Sequence, residues 1–185
     1  MADFNALEVI DDKLFVYSNT SNFKDWLANK SLVLSTTVVD GVSFIDKLLV
    51  SAFQNNLNPK LLLATCQREQ SLITTKAPTP KQLNRAFGAG CTDSGDLTGI
   101  TGLAKQIDLS AATYKKWFTA AKVPVIMSVD DATKKIDIQN AATYALYKYC
   151  PHIGTRLSPQ FKKYGFYGNF VLWQIWNTWW PEDFA

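Results

Sequence analysis

The most regular hydrophobic pattern in the chain lies between Asn58 and Ile73. Asn58 and Pro59 are typical of the N-cap and the first position of a helix. At about 100° per residue, one stripe of the helix carries Leu62, Cys66, Glu69 and Ile73. The other side carries Lys60, Gln67, Arg68 and Ser71. The pattern predicts a helix from Pro59 to Thr74 whose apolar face contains one carboxylate, Glu69.

Most of the remaining chain has helical spacing as well. The predicted helices are Ser21–Leu27, Ser43–Gln54, Gly102–Gln106, Ala111–Lys122, Asn140–Tyr149 and Tyr167–Trp180. Leu7–Tyr17 is predicted to be a strand or a lead-in, and Asp130–Lys135 a turn. Between Lys76 and Thr101, glycines and prolines predict a loop or a small hairpin. The chain is therefore predicted to be mainly α, with a functional loop region after the Glu69 helix.

Length and composition indicate one compact domain over residues 1–185. With 47% hydrophobic and 19% charged residues, the chain is typical neither of disordered nor of membrane-inserted proteins. Its net charge of +3 includes no basic block, so nucleic-acid binding is not expected, whereas a polyanionic cell-wall polymer is compatible. One His and three scattered Cys lack the spacing of a metal site, and no cofactor is expected. We expect a monomer.

The cysteines and the N-terminus bear on the cellular compartment. Cys66 lies on the apolar stripe and is expected to be a core thiol. Cys91 and Cys150 lie in loop-like contexts, and whether they form a disulfide depends on exposure to an oxidising compartment. Met1–Asn5 lacks the charged and apolar regions of a secretory signal. We therefore expect either a protein made in the cytoplasm or a secreted protein whose signal has been removed.

Glu69 has two interpretations at this point. Burial raises the pKa of a carboxyl group, and a Glu that stays protonated near neutral pH can act as a general acid. Alternatively, an Arg or Lys from another element pairs with it, or it lies at the edge of the stripe with its carboxylate in water, because buried charges are rarely unpaired. Periodicity alone favours these structural interpretations.

The residues around Glu69 resemble those of a known family. The segment 58–72, NPKLLLATCQREQSL, resembles the NPK(L/V)LLxxxQ(K/R)EQSL motif of bacterial and phage lysozyme-like proteins related to lytic transglycosylases. Further patches that fit this family are Gly88–Cys91, Asn140–Tyr147, Gly168–Phe170 and the tryptophans Trp173, Trp176 and Trp180. The resemblance covers most of the chain from about Val9, and it implies an α+β lysozyme-like fold.

The resemblance implies a peptidoglycan glycosidase that acts on glycan strands. Glu69 matches the general acid that cleaves the β-1,4 bond between N-acetylmuramic acid and N-acetylglucosamine. Ser71, Gln106 and Tyr147 match positions of the lytic transglycosylase motifs and are expected to bind substrate. One residue intervenes before Ser71, and the motif that ends at Gln106 is one residue longer, so both depart from the family pattern. We expect Glu69 at the floor of a sugar-binding groove, under the Gly-rich loop.

The reaction depends on a second carboxylate. Asp93 and Asp96, in the loop after Glu69, are the candidates, although Asp beside Ser and Gly is also typical of turns. A separation of about 5 to 5.5 Å from the acid suits a retaining nucleophile, and about 6.5 to 9.5 Å leaves room for the water of an inverting enzyme. Without a second carboxylate, Glu69 acts first as acid and then as base while the substrate's 6-hydroxyl attacks. Hydrolysis and lytic transglycosylation both stay open.

Aromatic side chains are further candidates for sugar binding, because flat rings stack on the apolar faces of pyranoses. The candidates for contact with a glycan strand are Tyr144, Tyr147, Tyr149, Tyr164 and Tyr167. Trp173, Trp176 and Trp180 have helical spacing, and most of this tryptophan cluster is expected in the core.

Two other functional classes stay open beside the muralytic enzyme. A non-catalytic wall-binding or virion structural module is one of them, because a fold does not guarantee chemistry. A Cys/His amidase is less favoured. The one His, His152, lies two residues from Cys150, and residues so close in sequence rarely place their side chains as nucleophile and base. A muralytic enzyme is the favoured hypothesis, either a phage endolysin released to the wall or a secreted hydrolase.

Overall fold

The computed structural model describes residues 3–17, 22–92, 95–96 and 98–184, with the backbone alone at residues 92, 95 and 96. The helices are α1 (Asp12–Phe15), α2 (Phe23–Lys30), α3 (Leu32–Thr36), α4 (Phe44–Gln54), α5 (Pro59–Gln70), α6 (Pro80–Asn84), α7 (Leu103–Ala120), α8 (Ala141–Tyr149), α9 (Phe161–Tyr164) and α10 (Gly168–Trp179), followed by a 3-10 turn (Pro181–Phe184). The strands form antiparallel hairpins: β1 (Val38–Val39) with β2 (Val42–Ser43), β3 (Cys91–Thr92) with β4 (Gly95–Asp96), and β5 (Val125–Val129) with β6 (Lys134–Ile138). The mainly α prediction is confirmed.

The chain divides into two compact units. The central unit is Tyr17–Thr113, and the terminal unit combines Met1–Val16 with Tyr114–Ala185. The boundary between them falls inside α7. The single domain predicted for residues 1–185 stays a prediction.

Helix α5 is buried on all sides over most of its length. The Asn58 side chain caps it by accepting a hydrogen bond from the Lys60 backbone N at 3.0 Å, and every residue from Pro59 to Cys66 is buried. Since eight consecutive residues span more than two turns, burial extends around the whole circumference, and this part of the helix is surrounded by protein. On the polar side of the helix, Lys60 is 5% exposed and the Arg68 side chain 4%, so both are buried, whereas Ser71 is exposed.

Helix α5 ends at Gln70 and not at Thr74 as predicted. Ser71 adopts a left-handed conformation (φ 55°), and its N–H donates to Gln67 O at 2.8 Å. The backbone and hydroxyl groups of the two following threonines then donate to the Ser71 carbonyl, which closes the turn. Glu69 consequently lies in the last turn of α5.

Other predicted elements differ from the structure in identifiable ways. Leu7–Tyr17 contains helix α1, capped by Asp11, and not the predicted strand. Gly102–Gln106 and Ala111–Lys122 belong to one helix, α7, because Ser110 is buried within it and does not cap a second helix. The hairpin predicted in the Gly-rich loop is confirmed by β3 and β4, whereas helix α6 and the β5–β6 pair were not predicted.

A buried carboxylate organises the turn between β5 and β6. Asp130 is fully buried; its Oδ1 accepts from Ile153 N at 2.8 Å and its Oδ2 accepts from the Ser158 hydroxyl at 2.8 Å. Ser158 Oγ accepts in turn from Gly154 N at 3.1 Å and Thr155 N at 3.2 Å. Asp130 thus fixes the loop of residues 153–158 to the hairpin, and the predicted turn at this position is confirmed.

The C-terminal tryptophans and the thiols mainly follow the predictions. Trp176 is fully buried and Trp180 is 4% exposed, which confirms their core positions. Cys66 is fully buried, and burial, together with the nearby charge of Glu69, raises the pKa of its thiol. Cys91 and Cys150 are half-buried, and no disulfide joins them.

In the described ranges, no helix has both the length and the apolar composition needed to cross a membrane.

We predict that Asp130→Ala lowers the free energy of unfolding by about 2–4 kcal/mol, because two buried donors lose a charged acceptor. Asp131→Ala is the matched control, since Asp131 also has a left-handed backbone (φ 59° against 51°) but is exposed. This control is expected to cost about 1 kcal/mol or less. Urea denaturation followed by tryptophan fluorescence measures both losses, and equal losses would contradict the role of Asp130.

We also predict that a thiol reagent, added without reductant, labels three cysteines in denaturant but at most two in the folded protein. Cys66 is protected by burial, and its raised pKa keeps the thiol protonated. The measurement is a spectrophotometric thiol count under both conditions. A count of one in denaturant would instead indicate a bridge between Cys91 and Cys150.

Candidate functional site

Glu69 has one carboxylate oxygen in an ion pair and the other outside it. Arg68 Nε donates to Glu69 Oε1 at 2.8 Å, and Nη2 lies 2.6 Å from the same oxygen. The Arg68 side chain is 4% exposed, whereas that of Glu69 is 25% exposed. Within the described part of the chain, no hydrogen bond reaches Oε2. The expected ion pair is therefore present, but its cation comes from the same helix and occupies a single oxygen.

The Gly-rich loop lies directly against Glu69. Gly88 has φ +68°, and a Cβ added there would lie 2.5 Å from Glu69 Oε2 and 2.9 Å from Cδ. The backbone conformation disfavours any residue other than Gly here, and a side chain would have to displace the Glu69 carboxylate. The turn is held by Gly88 N donating to Arg85 O at 2.9 Å and by Cys91 N donating to Gly88 O at 3.1 Å. This contact agrees with the expectation that the loop covers the acid.

Gln106 holds the loop on both sides of Gly88. Its Nε2 donates to Ala89 O at 2.9 Å and to Ile100 O at 3.0 Å, and its Oε1 accepts from Phe87 N at 3.2 Å. Gln106 is fully buried, so in this arrangement it presents no surface to a substrate. The structure gives Gln106 the role of positioning the loop against Glu69.

Helix α6 fixes the end of α5 from another direction. Gln82 Nε2 donates to the Gln70 carbonyl at 3.0 Å, just after Glu69. Gln82 also forms a capping box with Thr79. Thr79 N donates to Gln82 Oε1 at 3.0 Å, and Gln82 N donates to the Thr79 hydroxyl oxygen at 3.2 Å. The signal for this helix is the Thr-Pro-Lys-Gln stretch at residues 79–82, which matches the capping-box pattern with Pro at the first position.

The remaining predicted residues of the central unit are Ser71, Asp93 and Asp96, and the structure describes the side chain of Ser71 alone. Ser71 is exposed and forms the left-handed C-cap of α5. Asp93 lies outside the described residues. The Asp96 backbone pairs with Cys91 in the β3–β4 hairpin, but its side chain also lies outside the described part. A second carboxylate beside Glu69 therefore stays a prediction.

A cavity of about 440 Å³ lies in the same unit. It is lined by Leu83 of α6, by residues 37–40 around β1, and by residues 101–105 at the start of α7. Glu69 is not among its lining residues, so this cavity is not the predicted groove over the acid. It is nevertheless built on α6 and α7, the two helices that hold the surroundings of Glu69 in place.

The predicted tyrosines belong to the terminal unit, and they differ in exposure. Tyr147 is 1% exposed, its hydroxyl donates to Ala6 O at 3.1 Å, and burial raises its pKa, so it is a core residue of that unit. Tyr149 stacks on Tyr114 with ring centres 4.2 Å apart. Tyr144 is half-buried, with Lys148 Nζ 5.4 Å from its ring centre.

One aromatic residue beside Tyr144 was missed by the sequence analysis. Trp117 is half-buried, and Lys148 Nζ lies 5.2 Å from its ring centre, so one ammonium group is close to both rings. Trp117 comes from α7 and Tyr144 from α8, and neither helix alone signals this pairing. Trp117, Tyr144 and Tyr149 are all half-buried.

The amidase and metal alternatives gain no geometric support. His152 Nδ1 is buried and makes no hydrogen bond in the described part of the chain, so it does not bond the Cys150 thiol. Over the same ranges, no three His, Cys, Asp or Glu side chains converge as metal ligands do.

Comparison with known proteins identifies a family but no individual relative. No curated protein and no solved structure matches the chain. A family model described as "LasA, N-terminal domain" matches residues 8–171, a stretch that contains Glu69, Gly88 and Gln106. Because this match covers most of the 185 residues, the chain belongs to the LasA N-terminal domain family.

Proposed function

We propose that this protein is a peptidoglycan glycosidase of lysozyme-like fold, with Glu69 as the general acid. The observation that carries the proposal is the placement of Glu69 in the last turn of a buried helix. Arg68 holds Oε1, while Oε2 faces the Gly88 backbone and the Glu69 side chain is 25% exposed. A rigidly held, partly exposed carboxyl group is what proton donation to a bound sugar requires.

The proposed first step begins with the Glu69 carboxyl group protonated on Oε2 while Oε1 accepts from Arg68. That proton passes to the oxygen between N-acetylmuramic acid and N-acetylglucosamine. The bond from that oxygen to the anomeric carbon then breaks, and the leaving sugar departs with the proton. Oε1 stays with Arg68, so the side chain keeps its orientation when it becomes ionised. The guanidinium also stabilises the negative charge that develops on Glu69.

Two second steps are consistent with this site. In lytic transglycosylation, ionised Glu69 takes the proton of the 6-hydroxyl while that oxygen bonds to the anomeric carbon and forms an anhydro sugar. In hydrolysis, water takes the place of the 6-hydroxyl, with Asp93 or Asp96 as the second carboxylate. Transglycosylation needs no group beyond Glu69 and the substrate, and hydrolysis needs a carboxylate at one of the separations given above.

The partly buried Arg68–Glu69 pair also favours a second candidate function. Buried ion pairs occur at purely structural positions, where removal of one partner destabilises the fold. A non-catalytic wall-binding module with a lysozyme-like fold would keep such a pair without using it. The two candidates differ in whether Oε2 transfers a proton, and only the enzyme cleaves glycan strands.

Glycan strands are the proposed partner, and the cell wall is the proposed place of action. The cavity of about 440 Å³ would hold groups of the strand away from the cleaved bond, since its lining mixes Leu83 and Leu103 with Thr101 and Lys105. Tyr144 and Tyr149 stay candidates for stacking on sugar rings. The protein would act as a monomer, either released to the wall by a phage or secreted.

We predict that Glu69→Gln lowers the rate of clearing of a peptidoglycan suspension by about 10²- to 10⁴-fold, because an amide cannot donate the proton. Glu8→Gln is the matched control, since Glu8 is exposed and belongs to the terminal unit. Thermal unfolding followed by circular dichroism must show that both variants fold. Undiminished clearing by Glu69→Gln would overturn the assignment.

Mass spectrometry of the released fragments then identifies the reaction. Reducing ends indicate hydrolysis, and anhydro ends indicate transglycosylation. If the wild-type protein binds purified peptidoglycan but releases no fragments, the non-catalytic module is the correct function.

We predict that Gly88→Ala lowers the clearing rate at least tenfold, because the new methyl group overlaps Glu69 Oε2 and displaces the carboxylate. Gly41→Ala is the matched control: its φ is +81°, and no atom lies within 4 Å of the added Cβ. Both variants carry the backbone strain of a left-handed alanine, so their difference reports the contact with Glu69. Equal clearing rates would show that this contact is irrelevant to activity.

A further inference from the structure

The C-terminal part of the chain has an unbalanced charge. From Ile138 to Pro181 the sequence contains four cationic residues, Lys148, Arg156, Lys162 and Lys163, and no Asp or Glu. Three of these cations lie in one stretch, Arg156–Phe166, which we call the 156–166 segment. The +3 charge of the whole chain is therefore not evenly spread, and this segment is locally cationic.

The same segment exposes large apolar side chains. Leu157 is 82% exposed, Tyr164 53% and Phe166 41%. A soluble protein tolerates single exposed apolar residues, but three within a short cationic stretch are typical of an interaction surface.

The cations and the rings of the segment lie side by side. The Arg156 guanidinium carbon is 5.9 Å from the centre of the Phe166 ring, and Lys163 Nζ is 4.6 Å from that of Tyr164. Phe161 packs against Phe166 with ring centres 5.1 Å apart. This arrangement places positive charge beside exposed aromatic surface, which suits the boundary between lipid headgroups and acyl chains.

Hydrogen bonds fix the backbone that carries the segment. Asp130 accepts the hydroxyl hydrogen of Ser158, the residue next to Leu157, at 2.8 Å. Lys134 Nζ donates to the Leu157 carbonyl at 2.9 Å, and Gln160 Nε2 contacts Asp131 Oδ2. Leu157 is thus held by one buried and two exposed contacts around it, and little ordering is needed when it meets a partner. Asp131 is the one exposed carboxylate of this network, at the edge of the segment.

We propose that the 156–166 segment docks the protein on the surface of an anionic lipid bilayer. Arg156, Lys162 and Lys163 face the lipid phosphates, while Leu157, Tyr164 and Phe166 enter the headgroup region. A soluble anionic polymer would account for the cations but would leave the exposed Leu157 without an apolar partner. Docking involves the terminal unit alone, so it does not depend on the proposed role of Glu69.

The test is co-sedimentation of the full chain with vesicles of phosphatidylglycerol and phosphatidylcholine in equal amounts, compared with pure phosphatidylcholine. We expect binding to the anionic vesicles only, weakened by added salt. Leu157→Asp is expected to lower the affinity at least tenfold, and the double variant Lys162→Gln/Lys163→Gln about tenfold or more.

Matched controls come from the rest of the chain. Leu32→Asp changes another leucine of similar exposure, 79%, in the central unit, and Lys115→Gln/Lys116→Gln removes another pair of exposed adjacent lysines. Both controls should bind as the wild type does. The proposal is overturned if the wild type ignores anionic vesicles, or if the controls lose as much affinity as the segment variants. It is also overturned if Leu157→Asp leaves vesicle binding unchanged while soluble polyglutamate competes fully, which would identify a polymer site.

Discussion

The burial of helix α5 is the constraint on which the central unit depends. A helix surrounded by protein cannot carry an unpaired charge without a large desolvation penalty. Arg68 is therefore paired with the adjacent Glu69, although neighbouring residues of a helix seldom face each other. The pair lies in the last turn, where the helix leaves the interior and the carboxylate reaches partial exposure. The position of the one candidate acid follows from where this buried helix ends.

The surroundings of Glu69 follow from the same constraint. The loop after α6 approaches the carboxylate so closely that a side chain at position 88 would have to displace Glu69, and a buried Gln106 fixes the residues on both sides. Gln82 holds the carbonyl that follows the acid. These contacts come from separate stretches of chain and converge on one turn, so the carboxylate is preorganised before any ligand binds.

Glu69 and Asp130 show two uses of a carboxylate in this protein. Both Asp130 oxygens accept hydrogen bonds from buried groups, and the residue is fully buried, which describes a structural anchor. Glu69 has a partner on one oxygen and keeps part of its surface exposed. The proposed chemistry is placed at Glu69 because one of its carboxylate oxygens has no hydrogen-bond partner in the described part of the chain and its side chain is partly exposed. Asp130 instead serves the loop that presents the 156–166 segment.

Local sequence signals determined the main elements of the structure. The Asn58–Pro59 cap starts α5 where predicted, and the apolar spacing of the later segments marks α4, α8 and α10. The mainly α class, the core thiol Cys66 and the small hairpin in the Gly-rich loop also follow from local patterns. The β5–β6 pair was missed. Its two strands pair with each other across a turn, and a search for helical spacing does not detect such pairing.

Only the tertiary structure decided which residues are buried. Periodicity placed Lys60 and Arg68 on the polar side of α5, but packing around the helix buries both side chains. The spacing of apolar residues along a sequence does not show how much protein surrounds a helix. Gln106 was expected to bind substrate from its match to the family motif. In the structure its side chain makes three hydrogen bonds to the backbone and holds the loop in place. The sequence by itself determined that Glu69 is the unusual residue of its helix. Its pairing with Arg68, its contact with Gly88 and its partial exposure depend on long-range packing, which brings together residues that no local pattern connects.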